Sequence, residues 1–295
     1  MRAVVRDRDG VALRDVPAPR AERPDEVVVQ VAVAGLCRTD LYVADGRIAC
    51  RWPRILGHEF SGTVTAAGAG VTHLQPGDRV TAMPMLGCSR CADCQQNRIC
   101  ADYRMLGVDQ DGAFAEYVLL TGSNVYRLPD AVSWQAGAYV EPVAAALAIT
   151  EAGLDPHSRG LVHGDGRFAR LACHLLQLHG FRHVDVGVPR GQYDFVVETD
   201  ARRLSDAMDA VRPGGTVVLK SRCPEPVPLD VTLAIRKRLR LQAVNYGPFD
   251  TALHLVAELP LAEVLGETWP LHRWSEAFES ARQSEARKLF LRLSA

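Results

Sequence analysis

The sequence lacks a marked excess of charge of either sign, and it lacks any apolar run long enough to span a bilayer. Its 34 basic and 35 acidic side chains give a formal net charge of -1, which carries no signal of binding to nucleic acid or to an anionic membrane. The first ten residues alternate apolar and charged positions and lack the apolar stretch of a secretory signal peptide. Together with cysteines that are clustered in a way that suits metal ligation better than a disulfide framework, these absences predict a protein of the reducing cytoplasm whose partner is a small molecule.

The sequence also lacks internal repeats and low-complexity tracts, which favours compact lobes. A chain of 295 residues exceeds the usual size of one core, and 47% of its residues are hydrophobic, so we expect two lobes. Before Glu141, short β-branched runs such as EVVVQVAVA at 26–34 alternate with turn formers and predict an all-β, barrel-like lobe. After Glu141, helical stretches alternate with short apolar runs, which predicts a parallel α/β sheet with strands at 160–163, 183–188, 194–198 and 216–219.

Four of the eight cysteines are concentrated in a short segment, in which the first three have CxxCxxC spacing. This spacing lets successive turns direct sulfur atoms at one tetrahedral point, as in structural zinc sites. A site with four thiolates leaves no coordination position for a substrate, so its predicted task is to brace the loop from Gly87 to Ala101. The predicted ligands of this structural zinc are Cys88, Cys91, Cys94 and Cys100.

A second set of possible metal ligands is dispersed along the sequence. It consists of Cys37 in GLCRTD, His58 and Glu59 in GHE, and Glu141 in VEP. Taken singly, each residue is as compatible with a hydrogen-bonded pair in a core as with a ligand. Taken together, a thiolate, an imidazole and a carboxylate form a three-ligand set that leaves zinc a fourth position for water or a substrate oxygen.

Several motifs resemble those of the zinc-dependent medium-chain alcohol and polyol dehydrogenases. GHEFSGTVTAAGAGV at 57–71 fits the zinc signature of that family, and further matches are PGDRV at 76–80, DGAFAEYV at 111–118 and KLFLRL at 288–293. The resemblance implies α/β plus all-β architecture with two domains. A GroES-like β-barrel catalytic domain would cover 1–145 and 266–295, and a doubly wound Rossmann-type nucleotide-binding domain would cover 146–265.

The resemblance also assigns roles to residues of the dispersed set. Cys37 and His58 are the implied ligands of a catalytic zinc, and Glu59 and Glu141 are implied to share the remaining place, because Glu141 stands where better-known alcohol dehydrogenases have a second cysteine. This replacement resembles the sorbitol and threonine dehydrogenase branch. Thr39 matches the hydroxyl that hydrogen-bonds the substrate oxygen, and Arg38 matches a basic residue that contacts the cofactor pyrophosphate, although a solvated arginine is an equal alternative.

A glycine-rich turn follows the predicted strand at 160–163 and opens a predicted helix that continues through Leu178. Its sequence is GDGRFA, a G-x-G-x-x-A pattern that lets the backbone approach a pyrophosphate at the helix N-terminus. An arginine inside this turn is unusual. The predicted cofactor-binding residues of the turn are Gly164, Gly166, Arg167, Phe168 and Ala169.

The next predicted strand, HVDVGV, ends at Gly187, where an NAD site would present a carboxylate to the ribose hydroxyls. A glycine there, with Arg190 just beyond it, leaves room for a 2′-phosphate and a charge to meet it, so NADP is favoured over NAD. From GVPRGQ the chain enters YDFVVET directly, whereas a full Rossmann unit has another strand between them. We therefore expect a lobe that is shortened after its second strand.

These inferences lead to a principal hypothesis and one alternative. The principal hypothesis is an oxidoreductase with two zinc ions per chain, which transfers a hydride between NADP or NAD and a small secondary alcohol, polyol, cyclitol or amino alcohol and its ketone or aldehyde. The alternative is a degenerate relative that keeps zinc without productive cofactor binding and acts as a binding or regulatory protein or as a non-redox zinc enzyme. The resemblance further implies a homo-oligomer, a dimer or tetramer.

Overall fold

The computed structural model describes residues 1–88, 90–96 and 100–294, which form two compact units. Unit 1 comprises Met1–Glu141 together with the chain from Leu253 onward, and unit 2 comprises Pro142–Ala252. Among the described residues, no helix combines the length and apolarity needed to traverse a bilayer.

Unit 1 consists mainly of short strands, whereas in unit 2 helices alternate with the strands of a parallel sheet. The strands are β1 (Arg2–Asp7), β2 (Gly10–Asp15), β3 (Glu26–Gly35), β4 (Arg54–Ile55), β5 (Glu59–Ala67), β6 (Arg79–Ala82), β7 (Met85–Leu86), β8 (Arg104–Met105), β9 (Tyr117–Thr121), β10 (Val125–Arg127), β11 (Gly160–His163), β12 (Val184–Gly187), β13 (Tyr193–Glu198), β14 (Val211–Leu219), β15 (Arg240–Ala243), β16 (Leu265–Pro270) and β17 (Lys288–Arg292). The helices are α1 (Arg38–Ala44), α2 (Ala92–Gln95), α3 (Trp134–Ala138), α4 (Val140–Leu147), α5 (Arg167–Leu178), α6 (Leu204–Ala210), α7 (Val231–Lys237), α8 (Phe249–Leu255) and α9 (Trp274–Gln283).

Unit 1 is the predicted β lobe, and β3 lies at its centre. The strand order of its main sheet is β10-β6-β5-β3-β17-β16, and β9 also pairs with β3. The alternation in EVVVQVAVA explains this position, because Val27, Val29 and Val31 point to one side and are fully buried in the core. The C-terminal strands β16 and β17 thus join a sheet that begins near the start of the chain, which confirms the expected two-domain class.

Unit 2 contains the predicted parallel sheet, with the strand order β12-β11-β13-β14-β15. Leu161, Val196 and Val217 from its central strands are fully buried beside α6. The strand beyond β12 that a complete Rossmann sheet would have is missing, because residues 188–192 lead directly into β13. This makes β12 an edge strand.

The boundaries between the units differ from those expected from the sequence. We expected the nucleotide-binding domain to run to residue 265, but residues 253–265 belong to unit 1. The backbone gives a physical reason, because the N–H of Lys288 donates to the carbonyl of Val264 at 2.7 Å and β16 begins one residue later. The segment that precedes β16 is therefore attached to the sheet of unit 1.

Candidate functional site

The first candidate site lies where β3 ends and α1 begins, and a buried carboxylate organises it. Asp40 accepts a hydrogen bond from the backbone N–H of Cys37 at 2.8 Å and another from that of Gly57 at 3.2 Å. The same carboxylate lies 3.1 Å from Nδ1 of His58. Asp40 therefore joins the segment of Cys37 to that of His58, and a proton on Nδ1 leaves Nε2 of the imidazole as the atom that can bind a metal.

Three of the four dispersed candidates converge at this point. One ligand atom each from Cys37, His58 and Glu59 lies within 4.8 Å of the other two. His58 and Glu59 are buried, whereas Cys37 is partly exposed, so the cluster has an accessible side. The donor set of sulfur, nitrogen and oxygen fits a zinc ion that keeps one position open.

The charges around His58 favour a cation at this cluster. Burial by itself lowers the pKa of His58, but the negative charges of Asp40 and Cys37 outweigh this effect and raise the pKa well above its usual value. A buried imidazole that holds a proton so firmly lies in a strongly negative environment. A metal cation that replaces this proton would benefit from the same field.

A buried ion pair lies beside the cluster. Nζ of Lys288 on β17 contacts Oε2 of Glu59, and both side chains are only 2% exposed. Burial raises the pKa of Glu59, the lysine opposes this rise, and the charge of Glu141 adds to it. Gly35 provides the space for the pair, because a Cβ atom at that position would lie 2.6 Å from the Glu59 carboxylate and 2.8 Å from Cε of the lysine.

The other predicted residues of this site lie in the same unit. Oε1 of Glu141 is 4.0 Å from Nε2 of His58, so the fourth candidate ligand is also close to the cluster. Thr39 is buried in the first turn of α1. Arg38, predicted to contact a pyrophosphate, forms a 3.0 Å ion pair with Glu285, and its contact with a cofactor remains a prediction.

Two residues of the site were missed from the sequence. Asp40 follows Cys37 by three residues, which is the spacing of a capping box, and this signal could have identified it as a partner of the local backbone. Lys288 carries no comparable signal. A lysine at the start of a strand reads as a solvent-exposed side chain, and its burial depends on the pairing of β17 with β3.

The second candidate metal site is the cysteine cluster, and its geometry fits a tetrahedral ion. The four sulfur atoms of Cys88, Cys91, Cys94 and Cys100 lie within 4.8 Å of one another. Two pairs, Cys88 with Cys94 and Cys91 with Cys100, are separated by 3.9 Å. Sulfurs bound to one zinc at about 2.3 Å lie roughly 3.8 Å apart in a tetrahedron, whereas a disulfide would bring them to about 2.05 Å.

The backbone of the cluster already favours the thiolate form. Amide groups of Arg90 and Cys91 donate to the sulfur of Cys88 and lower its pKa to about 6. The backbone N–H of Cys94 also points at the sulfur of Cys91, at 3.4 Å. Thiolates are the metal-binding form of cysteine, so these amides prepare the loop for a cation.

The glycine-rich turn of unit 2 has the geometry of a phosphate-binding loop. Gly164 adopts a φ of +145°, and a Cβ atom there would lie 2.3 Å from the hydroxyl oxygen of Thr199. Gly166 is the N-cap of α5 and has no side chain to cover the first amides of the helix, and Ala169 is buried beneath the turn. These features fit a pyrophosphate at the helix N-terminus. Arg167 and Phe168 form the first helical residues.

The carboxyl end of β12 is open where the sequence predicts the adenosine ribose. Gly187 has a φ of +119° and no atom within 4 Å of a built Cβ, and its carbonyl accepts from the N–H of Gly164 at 3.1 Å. Arg190 is exposed just beyond it. Asp185 is engaged elsewhere, because it pairs with Arg159 at 3.2 Å and accepts from the hydroxyl of Tyr193 at 3.0 Å.

Comparison with known proteins relates this arrangement to dehydrogenases. The alcohol dehydrogenase GroES-like domain matches residues 23–130. Galactitol 1-phosphate 5-dehydrogenase of Escherichia coli K12 is 39% identical over 150 residues, which cover 50% of this chain and 43% of the relative. The D-xylulose reductase A assigned in Aspergillus clavatus is 30% identical over 239 residues, which cover 73% of this chain and 67% of that protein. The chain spans about half the length of several curated relatives, including 54% of D-xylulose reductase A from Aspergillus niger.

Solved structures resemble the fold over nearly the full chain. A protein from Sinorhizobium meliloti 1021, assigned as a zinc-binding dehydrogenase and bound to NADP, has a TM-score of 0.88 at 25% identity and covers 99% of this chain and 98% of its own. Galactitol-1-phosphate dehydrogenase from Escherichia coli has a TM-score of 0.87 at 25% identity, with 99% of both chains covered. On these relationships and on the motifs, the chain belongs to the family of zinc-dependent medium-chain alcohol and polyol dehydrogenases.

Proposed function

We propose that the protein is a zinc- and nicotinamide-dependent oxidoreductase. Its substrate would be a small secondary alcohol, polyol, cyclitol or amino alcohol, or the matching ketone or aldehyde. The observation that carries this proposal is the convergence of Cys37, His58 and Glu59 within 4.8 Å, with an accessible side. The naming of relatives as polyol dehydrogenases and reductases supports the same chemistry.

Each residue of the site has a task that its contacts suggest. When bound, zinc supplies a Lewis acid and the nicotinamide cofactor supplies the hydride acceptor or donor. Asp40 holds the Nδ1 proton of His58 and fixes the direction of Nε2. The hydroxyl of Thr39, in the first turn of α1, is the proposed proton relay to the substrate oxygen.

The third ligand of the catalytic zinc is proposed to be shared between two carboxylates. Glu59 belongs to the three-residue cluster, and Glu141 lies 4.0 Å from His58. Lys288 holds one oxygen of Glu59, which limits how far this carboxylate can turn toward the metal. Glu141 would be the third zinc ligand while Glu59 remains paired with Lys288.

Two zinc ions per chain are proposed, one at each cluster. The dispersed site would perform chemistry, and the cluster of four cysteines would brace its loop. The reduced thiols of such a site also suit the cytoplasm, which is the location that we propose. Metal analysis of the purified protein should give two equivalents of zinc per chain.

The direct test of the proposed function is turnover together with cofactor binding. Purified protein would be titrated with NADPH and NADH while nicotinamide fluorescence is followed, and a panel of polyols and ketoses would then be assayed through the absorbance of the reduced cofactor. We expect saturable binding and turnover that a zinc chelator abolishes. Two zinc ions without any nicotinamide binding would refute the proposal.

One observation favours the alternative function, a zinc protein without hydride transfer. Residues 188–192 join β12 directly to β13, so the nucleotide-binding sheet lacks a strand on the adenosine side. The missing strand is an edge in the usual order, so its loss leaves the glycine-rich turn and the central strands in place. The titration with reduced cofactors separates the two functions.

Arg190 carries the proposed preference for NADP over NAD. The guanidinium of Arg190 would pair with the 2′-phosphate of NADP, and the absence of a side chain at Gly187 leaves space for that phosphate. A hydrogen bond to a charged group contributes about 1.5–3 kcal/mol, so Arg190→Ala should raise the Kd for NADPH by about ten- to hundredfold. The Kd for NADH should stay unchanged. Arg182→Ala, which removes another exposed arginine of unit 2, is the control; equal losses for both cofactors would contradict the preference.

A homo-oligomer is proposed through the β15 edge of unit 2. α7, which follows β14, exposes Val231 by 56% and Ile235 by 70%, and β15 ends the sheet beside it. Apolar side chains on an edge helix are typical of a surface that a second copy covers. Ile235→Glu should therefore shift the dimer or tetramer toward monomer in light-scattering chromatography. Arg236→Glu, at the adjacent exposed position, is the control; an unchanged mass for Ile235→Glu would exclude this surface.

A further inference from the structure

A lysine and two aromatic rings meet at the carboxyl ends of the parallel strands of unit 2. Lys220 follows β14, Tyr246 follows β15, and Phe168 lies in the first turn of α5, just after β11 and the glycine-rich turn. Nζ of Lys220 lies 6.0 Å from the ring centroid of Phe168 and 5.7 Å from that of Tyr246. Three separate strand ends thus bring one cation and two ring faces together.

A buried glutamate fixes the position of the backbone at Lys220. Glu198, at the end of β13, accepts from the backbone N–H of Lys220 at 2.7 Å and from that of Ser221 at 2.9 Å, and the Ser221 hydroxyl donates to it at 2.7 Å. The ammonium of Lys220 donates to the neutral carbonyl of Asn245. The carboxylate thereby holds the backbone of this segment, and the ammonium lies over the rings of Phe168 and Tyr246.

The topology indicates which half of a dinucleotide this charge would meet. In an open parallel sheet the ligand lies outside the carboxyl ends of the strands, at the point where the strand order reverses, here between β11 and β13. The end of β12, with Gly187 and Arg190, corresponds to the adenosine ribose. The nicotinamide half must then lie over β13, β14 and β15, which is the side of Lys220.

A fixed cation on the nicotinamide side distinguishes the two oxidation states of the cofactor. The ring carries a positive charge when oxidised and none when reduced, so a neighbouring ammonium repels only the oxidised form. We propose that Lys220 makes this lobe bind the reduced nicotinamide cofactor in preference to the oxidised one, which suits a reductase. This inference rests on the proposed function, because it requires a nicotinamide cofactor in unit 2.

The test compares affinities for the two oxidation states. The Kd values for NADPH and NADP⁺ would be measured by calorimetry for the wild type, Lys220→Met and Lys220→Arg. We expect the ratio of the Kd for NADP⁺ to that for NADPH to fall by about tenfold in Lys220→Met, mainly because NADP⁺ binds more tightly, since two nearby charges in a partly shielded site repel strongly. Lys220→Arg should keep the wild-type ratio. Arg236→Met, which removes a charge from exposed α7, should change neither value.

The other outcomes each overturn a defined part of the inference. If Lys220→Met weakens both forms equally, the lysine binds a phosphate and does not sense the ring. If the ratio is unchanged, the lysine lies away from the nicotinamide. If the wild type binds neither cofactor, the proposed function fails with the inference. Lys220→Gln, measured in parallel with the melting temperature of every variant, replaces Lys220→Met if that variant fails to fold.

Discussion

Cys37→Ser is expected to lower kcat/KM by at least about a thousandfold while the melting temperature stays within a few degrees of the wild type. A hydroxyl is a poor zinc ligand, and losing a Lewis acid worth several kcal/mol costs about one power of ten in rate for each 1.4 kcal/mol. The fold should persist because β3 and α1 are held by strand pairing and by Asp40. Steady-state kinetics would measure the fall in kcat/KM, metal analysis the loss of zinc, and thermal melting the stability of the fold.

Cys50→Ser is the matched control for this prediction. Cys50 is also a partly buried thiol of unit 1; it packs against the main core of that unit and, among the described residues, belongs to neither metal cluster. It should keep two zinc ions and wild-type rates. If Cys37→Ser, or the companion variant His58→Gln, turned over at the wild-type rate, the assignment of the catalytic metal to this cluster would be wrong.

Cys91→Ser is expected to lower the stability of unit 1. A structural zinc site contributes its binding energy to folding, and loss of only about 3 kcal/mol of it would lower Tm by roughly 6–12 °C in a domain of this size. The protein should release one zinc ion. Below the new Tm we expect the activity to stay near that of the wild type, because the proposed catalytic cluster of Cys37, His58 and Glu59 is separate from the four cysteines.

Cys223→Ser provides the control for the loss of a thiol. Cys223 is partly exposed in unit 2 and contacts Glu225 at 3.6 Å, outside both metal clusters of the described chain. It should change neither zinc content nor Tm. A Cys91→Ser protein that melts at the wild-type temperature and keeps two zinc ions would show that the cysteine cluster does not bind a structural metal.

The sequence predicts elements best where turn residues bracket an apolar run. β11 has the expected limits, 160–163, since a glycine-rich turn follows it. β14 was expected to begin at Thr216 but begins at Val211, because Pro213 and two glycines read as a turn. In the structure this stretch stays in the strand through a register shift between Tyr193 and Phe195 of the partner strand.

The candidate metal site was predictable only where its chemistry is local. Cys37, His58 and the four clustered cysteines stand in short motifs whose residue types are themselves metal ligands. The pair of Glu59 and Lys288 joins positions far apart in the sequence, and it exists only because β17 pairs with β3 and Gly35 leaves room. Such long-range pairings leave no trace in the spacing of neighbouring residues.

Unit 1 is formed by two separate segments of the chain, and this affects the order in which its parts become available during synthesis. A ribosome releases residues 1–141 first, then all of residues 142–252, and only afterwards β17 with Lys288. During this interval the nascent chain has Cys37, His58 and Glu59 but lacks the lysine that pairs with Glu59 in the folded protein. All four cysteines of the other cluster have emerged once residue 100 is released, so we expect that cluster to be able to take up zinc before β17 joins the sheet.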